Sequence, residues 1–367
     1  MSRPSLPWVA ALAILLAPAA GSGQQVLEVE YEAGRIIIDD EWRGLKSHFV
    51  AVDWDRATLY AADSEEPEGI MAFSLETGEW LRTIDTPRGD GPHEFSWGRK
   101  GIAIAPSGGL YVSGDLRIVE YSAEGTPINS WRPEVPTLQR VCSLNGVPAV
   151  PTQGGVVRRG PEGTSELVGP VEAQGRRVSG NDIEGVFRRL RSARIACHGS
   201  VAFVSMPFGP AGPDSLFVYD SNGPVGRLAV PVEDASGRRS CMIAAQRGPG
   251  GSIIEPERPC PHWSRNTRLS TDDRGNLVML GLDQTTRGAI INPETGCYAL
   301  IRGSSDHPHS PVAIQGDSVL VYRHPFEKST EEGQTRINVN DSATGVSIHP
   351  LRRISGEPCP GMLPSAR

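Results

Sequence analysis

An all-β fold, a six-bladed β-propeller with four-stranded blades, is predicted from three observations on this chain of 367 residues. A strand-turn-strand unit recurs along the chain. The 42 glycines and 31 prolines are spread over its whole length, which suits many short strands joined by tight turns and argues against long helices. A lone four-stranded unit of this size cannot cover both of its faces, whereas units stacked around an axis cover one another and leave only short, protected edges.

The chain opens on a segment unlike the rest. Arg3 precedes an apolar run over residues 8–16, and the small residues Ala17-Pro18-Ala19-Ala20-Gly21 follow. This order reads as a signal peptide over residues 1–23, and the run is too short for a bilayer span, which needs about 20 residues. Residues 24–367 are therefore expected to form a single propeller domain that is soluble and extracytoplasmic, either periplasmic or secreted, with no membrane span. Two strand-like stretches, 26–31 and 35–38, precede the first repeat, and one of them is expected to add a strand to the last blade and close the ring.

The first unit reads Phe49-Val50-Ala51-Val52-Asp53, then Leu59-Tyr60-Ala61-Ala62-Asp63, then Ile70-Met71-Ala72-Phe73 and the turn Glu76-Thr77-Gly78-Glu79. The second begins Gly101-Ile102-Ala103-Ile104, turns through Ala105-Pro106-Ser107-Gly108-Gly109 and returns as Leu110-Tyr111-Val112. A later copy runs from Leu269 through the turn Asp272-Asp273-Arg274-Gly275-Asn276 to Leu277-Val278-Met279-Leu280. Taking the start of each second strand as anchor gives Leu59, Leu110, Val156, Val201, Leu277 and Val319, spaced by 51, 46, 45, 76 and 42 residues. The outlying interval places an insertion at about 231–266, rich in Pro, Gly and Arg.

Between the first two units lies Gly89-Asp90-Gly91-Pro92-His93-Glu94-Phe95, which is similar to the Gly-x-Gly-Pro-x-Glu-Phe linker of bacterial six-bladed propellers of the NHL-like kind. The hairpin that follows resembles that family's Asp-x-x-Gly-x-Leu-Tyr-Val, and residues 302–310 carry a fainter echo of the linker. The resemblance implies that the linker joins the outer strand of one blade to the inner strand of the next. It implies fold more than activity, because the family is diverse in function.

The six cysteines all follow the leader, an even number that suggests disulfides in an exported chain. Cys241–Cys260 would close the insertion and Cys297–Cys359 would tie down the C-terminal tail, which leaves Cys142–Cys197 by elimination. No Cys-x-x-Cys pair is present, so the sequence supports neither a zinc site nor a thioredoxin-like site. The net charge of −7 gives no reason to expect nucleic acid as a partner.

Several short motifs have simple structural readings. Arg88-Gly89-Asp90 belongs to the linker, as His307-Pro308-His309 belongs to its echo, although two imidazoles on one strand face could also ligate a metal. Asp53-Trp54-Asp55 and the Asp272-to-Asn276 segment match hairpin turns better than calcium loops, since neither completes the twelve-residue pattern with its final Glu. The chain has no Gly-x-Ser-x-Gly elbow, His-Glu-x-x-His motif or Walker loop.

One pattern points to chemistry. A basic residue stands before or at the start of each predicted inner strand: His48, Arg99 with Lys100, Arg140, Arg194, Arg268 and His309. In a propeller these positions ring one mouth of the channel, where converging positive charge favours anions and arginine can grip carboxylate or phosphate with two hydrogen bonds. The competing account is chance placement, since Lys and Arg number 36 and His 8, and the direction of the side chains decides between the two. Three functions remain open on the sequence. The first is binding of a small anionic or glycan-like ligand, or of a partner protein, at the channel mouth. The second is a metal-assisted hydrolase or lyase, lactonase-like, with a divalent ion in the channel. The third is a structural scaffold. No cofactor is expected for the first or third.

Overall fold

The computed structural model describes residues 25–39, 45–63, 69–96, 101–114, 117–134, 140–152, 155–170, 193–205, 215–229, 246–247, 253–254, 268–281, 286–303, 310–324, 326–331, 334–339, 345–359 and 362. Among these there is no α-helix, and two single 3-10 turns are the only helical elements.

Strands β1 (Gln25–Val29) and β2 (Arg35–Ile38) come first. Four antiparallel meanders follow: β3 (Leu45–Asp53), β4 (Thr58–Asp63), β5 (Gly69–Ser74) and β6 (Trp80–Asp85); β7 (Gly101–Ile104), β8 (Leu110–Gly114), β9 (Arg117–Tyr121) and β10 (Pro127–Trp131); β11 (Cys142–Leu144), β12 (Val147–Thr152), β13 (Gly155–Arg159) and β14 (Ser165–Pro170); β15 (Arg194–His198), β16 (Val201–Ser205), β17 (Ser215–Asp220) and β18 (Gly223–Ala229). A short ladder, β19 (Gln246–Arg247) with β20 (Ile253–Ile254), lies within the expected insertion. The fifth meander is β21 (Arg268–Thr271), β22 (Leu277–Leu280), β23 (Thr286–Ile291) and β24 (Tyr298–Arg302). After it come β25 (Ser310–Gln315), β26 (Ser318–Arg323), the hairpin β27 (Phe326–Glu331) with β28 (Gln334–Val339), and the long β29 (Gly345–Ser355).

The ring closes through the N-terminal strands. β2 pairs antiparallel with the first half of β29, so it becomes the outer strand of the unit β25-β26-β29. β1 runs parallel to β24 and antiparallel to the second half of β29, joining this unit to the fifth meander in one nine-stranded sheet. Both N-terminal stretches therefore serve the closure, where one was expected.

Contacts between first strands run in order from β3 to β7, β11, β15 and β21, and β25 touches both the fifth meander and β3. The apolar residues follow the same circle. Tyr60, Ile70 and Ile84 of the first meander share a core with Leu110, Val112 and Tyr121 of the second. Tyr111, Ile118 and Trp131 pack on Val150 and Val157 of the third, and Leu144 and Val156 pack on Val204 and Tyr219 of the fourth. Phe203 and Leu216 then meet Met279 and Ile291, and Val278 and Ile301 meet Val319 and Val321. Leu320, Tyr322 and Val346 return to Leu59 and Phe73 of the first meander. Each sheet is buried on both faces because its neighbours lie against it, which is why β8 and β22 are buried along their whole length while the outer strands β6 and β10 are half exposed. This circular packing makes the fold a β-propeller.

The linker between the first two meanders fixes their spacing. Phe95 is fully buried in the core they share, and its N–H donates to the Pro87 carbonyl at 3.0 Å. The Glu94 carboxylate accepts the Gly91 N–H at 2.8 Å, and a Cβ at Gly89 or Gly91 would lie within 3 Å of that carboxylate. Arg117, itself buried, donates to the Glu94 carbonyl at 2.9 Å and to the Asp90 carbonyl at 3.4 Å. The Arg-Gly-Asp tripeptide is thus part of a built connector.

The third meander departs from the sequence frame. Its second strand is β12, starting at Val147, and Val156 lies in its third strand. The first hairpin is very short: β11 has three residues and turns at Asn145 and Gly146, with φ of 51° and 78°, as a two-residue primed turn requires. Pro148 and Pro151 within β12 hide its strand pattern.

The Cys142–Cys197 and Cys297–Cys359 disulfides are present. The expected Cys241–Cys260 pair lies outside the described residues.

Candidate anion-binding mouth of the channel

The ladder registers place the start of each first strand beside the end of its second strand: Gly101 opposite Ser113, Arg194 opposite Ser205, Arg268 opposite Leu280 and Ser310 opposite Tyr322. These positions share one end of the ring. Arg194 is the first residue of β15, Arg268 the first of β21, and Arg140 stands two residues before β11. His48 lies within β3 rather than at its start, because the strand begins at Leu45; its side chain, like Arg99, Lys100 and His309, lies outside what the structure describes.

Arg194 and Arg268 retain only 8% and 9% of their surface, a rare degree of burial for a guanidinium. The Arg194 Nη1 donates to the Ala193 carbonyl at 3.0 Å. The Arg268 Nη1 donates to the Pro311 carbonyl at 3.3 Å, and its guanidinium carbon lies 5.9 Å from the centre of the Tyr322 ring, within cation–π range. The Arg268 Nε and the Tyr322 hydroxyl are buried without a hydrogen-bond partner among the described residues.

Burial dominates the electrostatics of all three arginines. Burial, and then the positive charges of Arg194 and Arg268, push Arg140 down to about 9. Burial lowers Arg268 to about 10, and lowers Arg194 as well. Tyr322 is raised by burial, an effect Arg268 partly offsets. The cause common to all three is positive charge held in a poorly hydrated place, and on Arg140 the charges of Arg194 and Arg268 add to it. A bound anion would relieve it.

The two Asp-rich segments resolve as turns. Asp272 Oδ1 accepts the backbone N–H groups of Arg274 and Asn276 at 3.0 and 2.8 Å, and Oδ2 accepts the Asn276 amide at 2.8 Å, so this segment is a hairpin turn. Asp53 does the same for Arg56, accepting its N–H at 3.1 Å and its guanidinium at 3.0 Å. Among the described residues no group of three His, Cys, Asp or Glu stands together as a metal site, and no helix is long and apolar enough to cross a membrane. His307 and His309 lie outside those residues.

Sequence reasoning missed Tyr322 and Ser205. Ser205 is fully buried, its hydroxyl without a hydrogen-bond partner among the described residues, and lies opposite Arg194 in the ladder. The available signal was their place at the end of a second strand, next to the entry of a first strand.

No family model and no curated protein sequence matches the chain. Among solved structures it is similar to a gluconolactonase from Xanthomonas campestris at 10% identity and a TM-score of 0.47, covering 92% of this chain and 99% of that one. It is also similar to a virginiamycin B lyase from Staphylococcus aureus at 9% identity and a TM-score of 0.46, covering 88% and 99%. The WD40 repeats of RRP9 match at 12% identity and a TM-score of 0.46, covering 90% and 99%.

Proposed function

We propose that this protein is a six-bladed propeller that binds a small anionic ligand at one mouth of its channel, through Arg140, Arg194 and Arg268. One observation supports the reading: Arg194 and Arg268 begin first strands at the same end of the ring, Arg140 stands just before the first strand of the preceding meander, and the charges of the other two add to burial in lowering Arg140. Guanidinium groups held this way are pre-organised for a carboxylate or phosphate, and low local hydration strengthens each charge-assisted hydrogen bond. The count of six treats the nine-stranded sheet as two blades, β21–β24 and β25-β26-β29-β2, bridged by β1. We further propose that the protein works outside the cytoplasm, where disulfides such as Cys142–Cys197 and Cys297–Cys359 persist.

The test is a calorimetric screen of sulfate, phosphate and citrate at low ionic strength. Each of Arg140→Ala, Arg194→Ala and Arg268→Ala should weaken binding by about tenfold or more, the worth of a charge-assisted hydrogen bond. Raising the salt should weaken wild-type binding more than that of the variants. No anion binding at low salt, or affinities indifferent to all three substitutions, would overturn the reading.

A further inference from the structure

The three arginines sit on separate sheets, so their spacing depends on what holds the first strands of those sheets in register. Cys197, three residues after Arg194 on β15, bonds in both directions around the ring. Its sulfur is joined to Cys142, two residues after Arg140, on the sheet before. Its carbonyl accepts a hydrogen bond of 2.9 Å from the hydroxyl of Thr271, three residues after Arg268, on the sheet after. The Asn145 N–H donating to the Gly199 carbonyl at 2.7 Å adds a second tie between the first two of these sheets. At roughly 3.3 Å per residue along a strand, each tie lies about 7–10 Å from the arginine it serves.

We infer that the Cys142–Cys197 disulfide and the Thr271–Cys197 hydrogen bond position Arg140, Arg194 and Arg268 relative to one another and thereby set the anion affinity of the channel mouth. This rests on the anion-binding reading above. Cys142, Cys197 and Thr271 are positioning residues that need not touch the ligand. An interaction of this kind matters because guanidinium geometry must be held to a fraction of an ångström for several groups to bind one small anion together. The second disulfide provides a contrast. Cys297 precedes β24, in the turn from the third to the fourth strand, and its bond to Cys359 joins none of the three strands that the arginines precede or begin.

The experiment measures sulfate affinity by calorimetry on the full chain and its variants. Cys142→Ser with Cys197→Ser should lower the affinity by at least about tenfold, while Cys297→Ser with Cys359→Ser should leave it within about twofold. In the first variant, adding Arg140→Ala should cost little more, because Arg140 is already out of place. A purely structural role for the disulfide would make the two losses additive. Unchanged affinity in the Cys142/Cys197 variant, equal losses in both disulfide variants, or additive losses would overturn the inference while leaving the anion site standing. Should the Cys142/Cys197 variant fail to fold, Thr271→Val decides: about a threefold loss is expected, and wild-type affinity would refute the tie. A wild-type protein that takes up no sulfate defeats the anion reading itself, and the inference with it.

Discussion

Replacing Arg268 with Met separates a functional charge from a structural one. The guanidinium is 9% exposed and held near 10 by burial, well below an ordinary arginine, which amounts to roughly 3 kcal/mol of unfavourable free energy at neutral pH. Its bond to the Pro311 carbonyl returns about 1.5–3 kcal/mol as a charge-assisted contact. The two nearly cancel, and methionine keeps most of the apolar stem. Urea unfolding at pH 7 should therefore place Arg268→Met within about 1 kcal/mol of wild type, where losing a buried structural side chain would cost about 2–5 kcal/mol. The same variant should lose the stabilisation that excess sulfate gives wild type, about 2.7 kcal/mol at a hundredfold excess over the dissociation constant. A large loss of stability with the sulfate response intact would refute the reasoning and make Arg268 a structural residue.

Four further outcomes follow from the same physics. Sulfate affinity should be flat to about pH 8 and fall above about 9, where Arg140 begins to lose its proton, and Arg140→Ala should remove that step; a fall beginning near pH 6.5 would point to histidine instead. The sign for stability is opposite: Arg140 is depressed in the folded state, so between about pH 9 and 12 the unfolded chain binds more protons, and this group alone makes the fold more stable as pH rises, which urea titration of the same pair reads out. Phe95→Ala should cost about 3–5 kcal/mol in urea unfolding, because it leaves a cavity between the first two meanders; less than 1 kcal/mol would contradict the linker's role. Deleting residues 25–38 removes β1 and β2 and should expose Val278, Ile314 and Val321, which share a core with Leu27, read as dye binding and early protease cleavage near β29, and native-like protection would count against closure by the N-terminal strands.

Much of the fold was legible because the repeat is local. The unit from Gly101 to Val112 carries its strands and its turn in one short stretch, and the linker before it carries its own glycines and Glu94. The third meander was not legible: with a three-residue first strand and prolines at 148 and 151, its apolar pattern resembles the wrong strand of the repeat, which put the anchor at Val156 rather than Val147. Arg194 and Arg268 could be listed from sequence because the repeat places both at the start of a first strand, at one end of the ring. What sequence does not hold is the lateral geometry. Tyr322 under Arg268, Ser205 opposite Arg194 and Thr271 reaching the Cys197 carbonyl are relations between strands that the chain order leaves 11 to 74 residues apart. The Cys142–Cys197 pair was reachable only by elimination for the same reason, with 55 residues between its members.

The most direct measurement is a crystal structure grown with millimolar selenate, read at the selenium absorption edge. The account predicts one anomalous peak at the channel mouth, within hydrogen-bond distance of at least two of the guanidinium groups of Arg140, Arg194 and Arg268, and its absence from crystals of Arg140→Ala with Arg268→Met. Three arginines turned away from one another, or selenate bound only elsewhere on the ring, would contradict it.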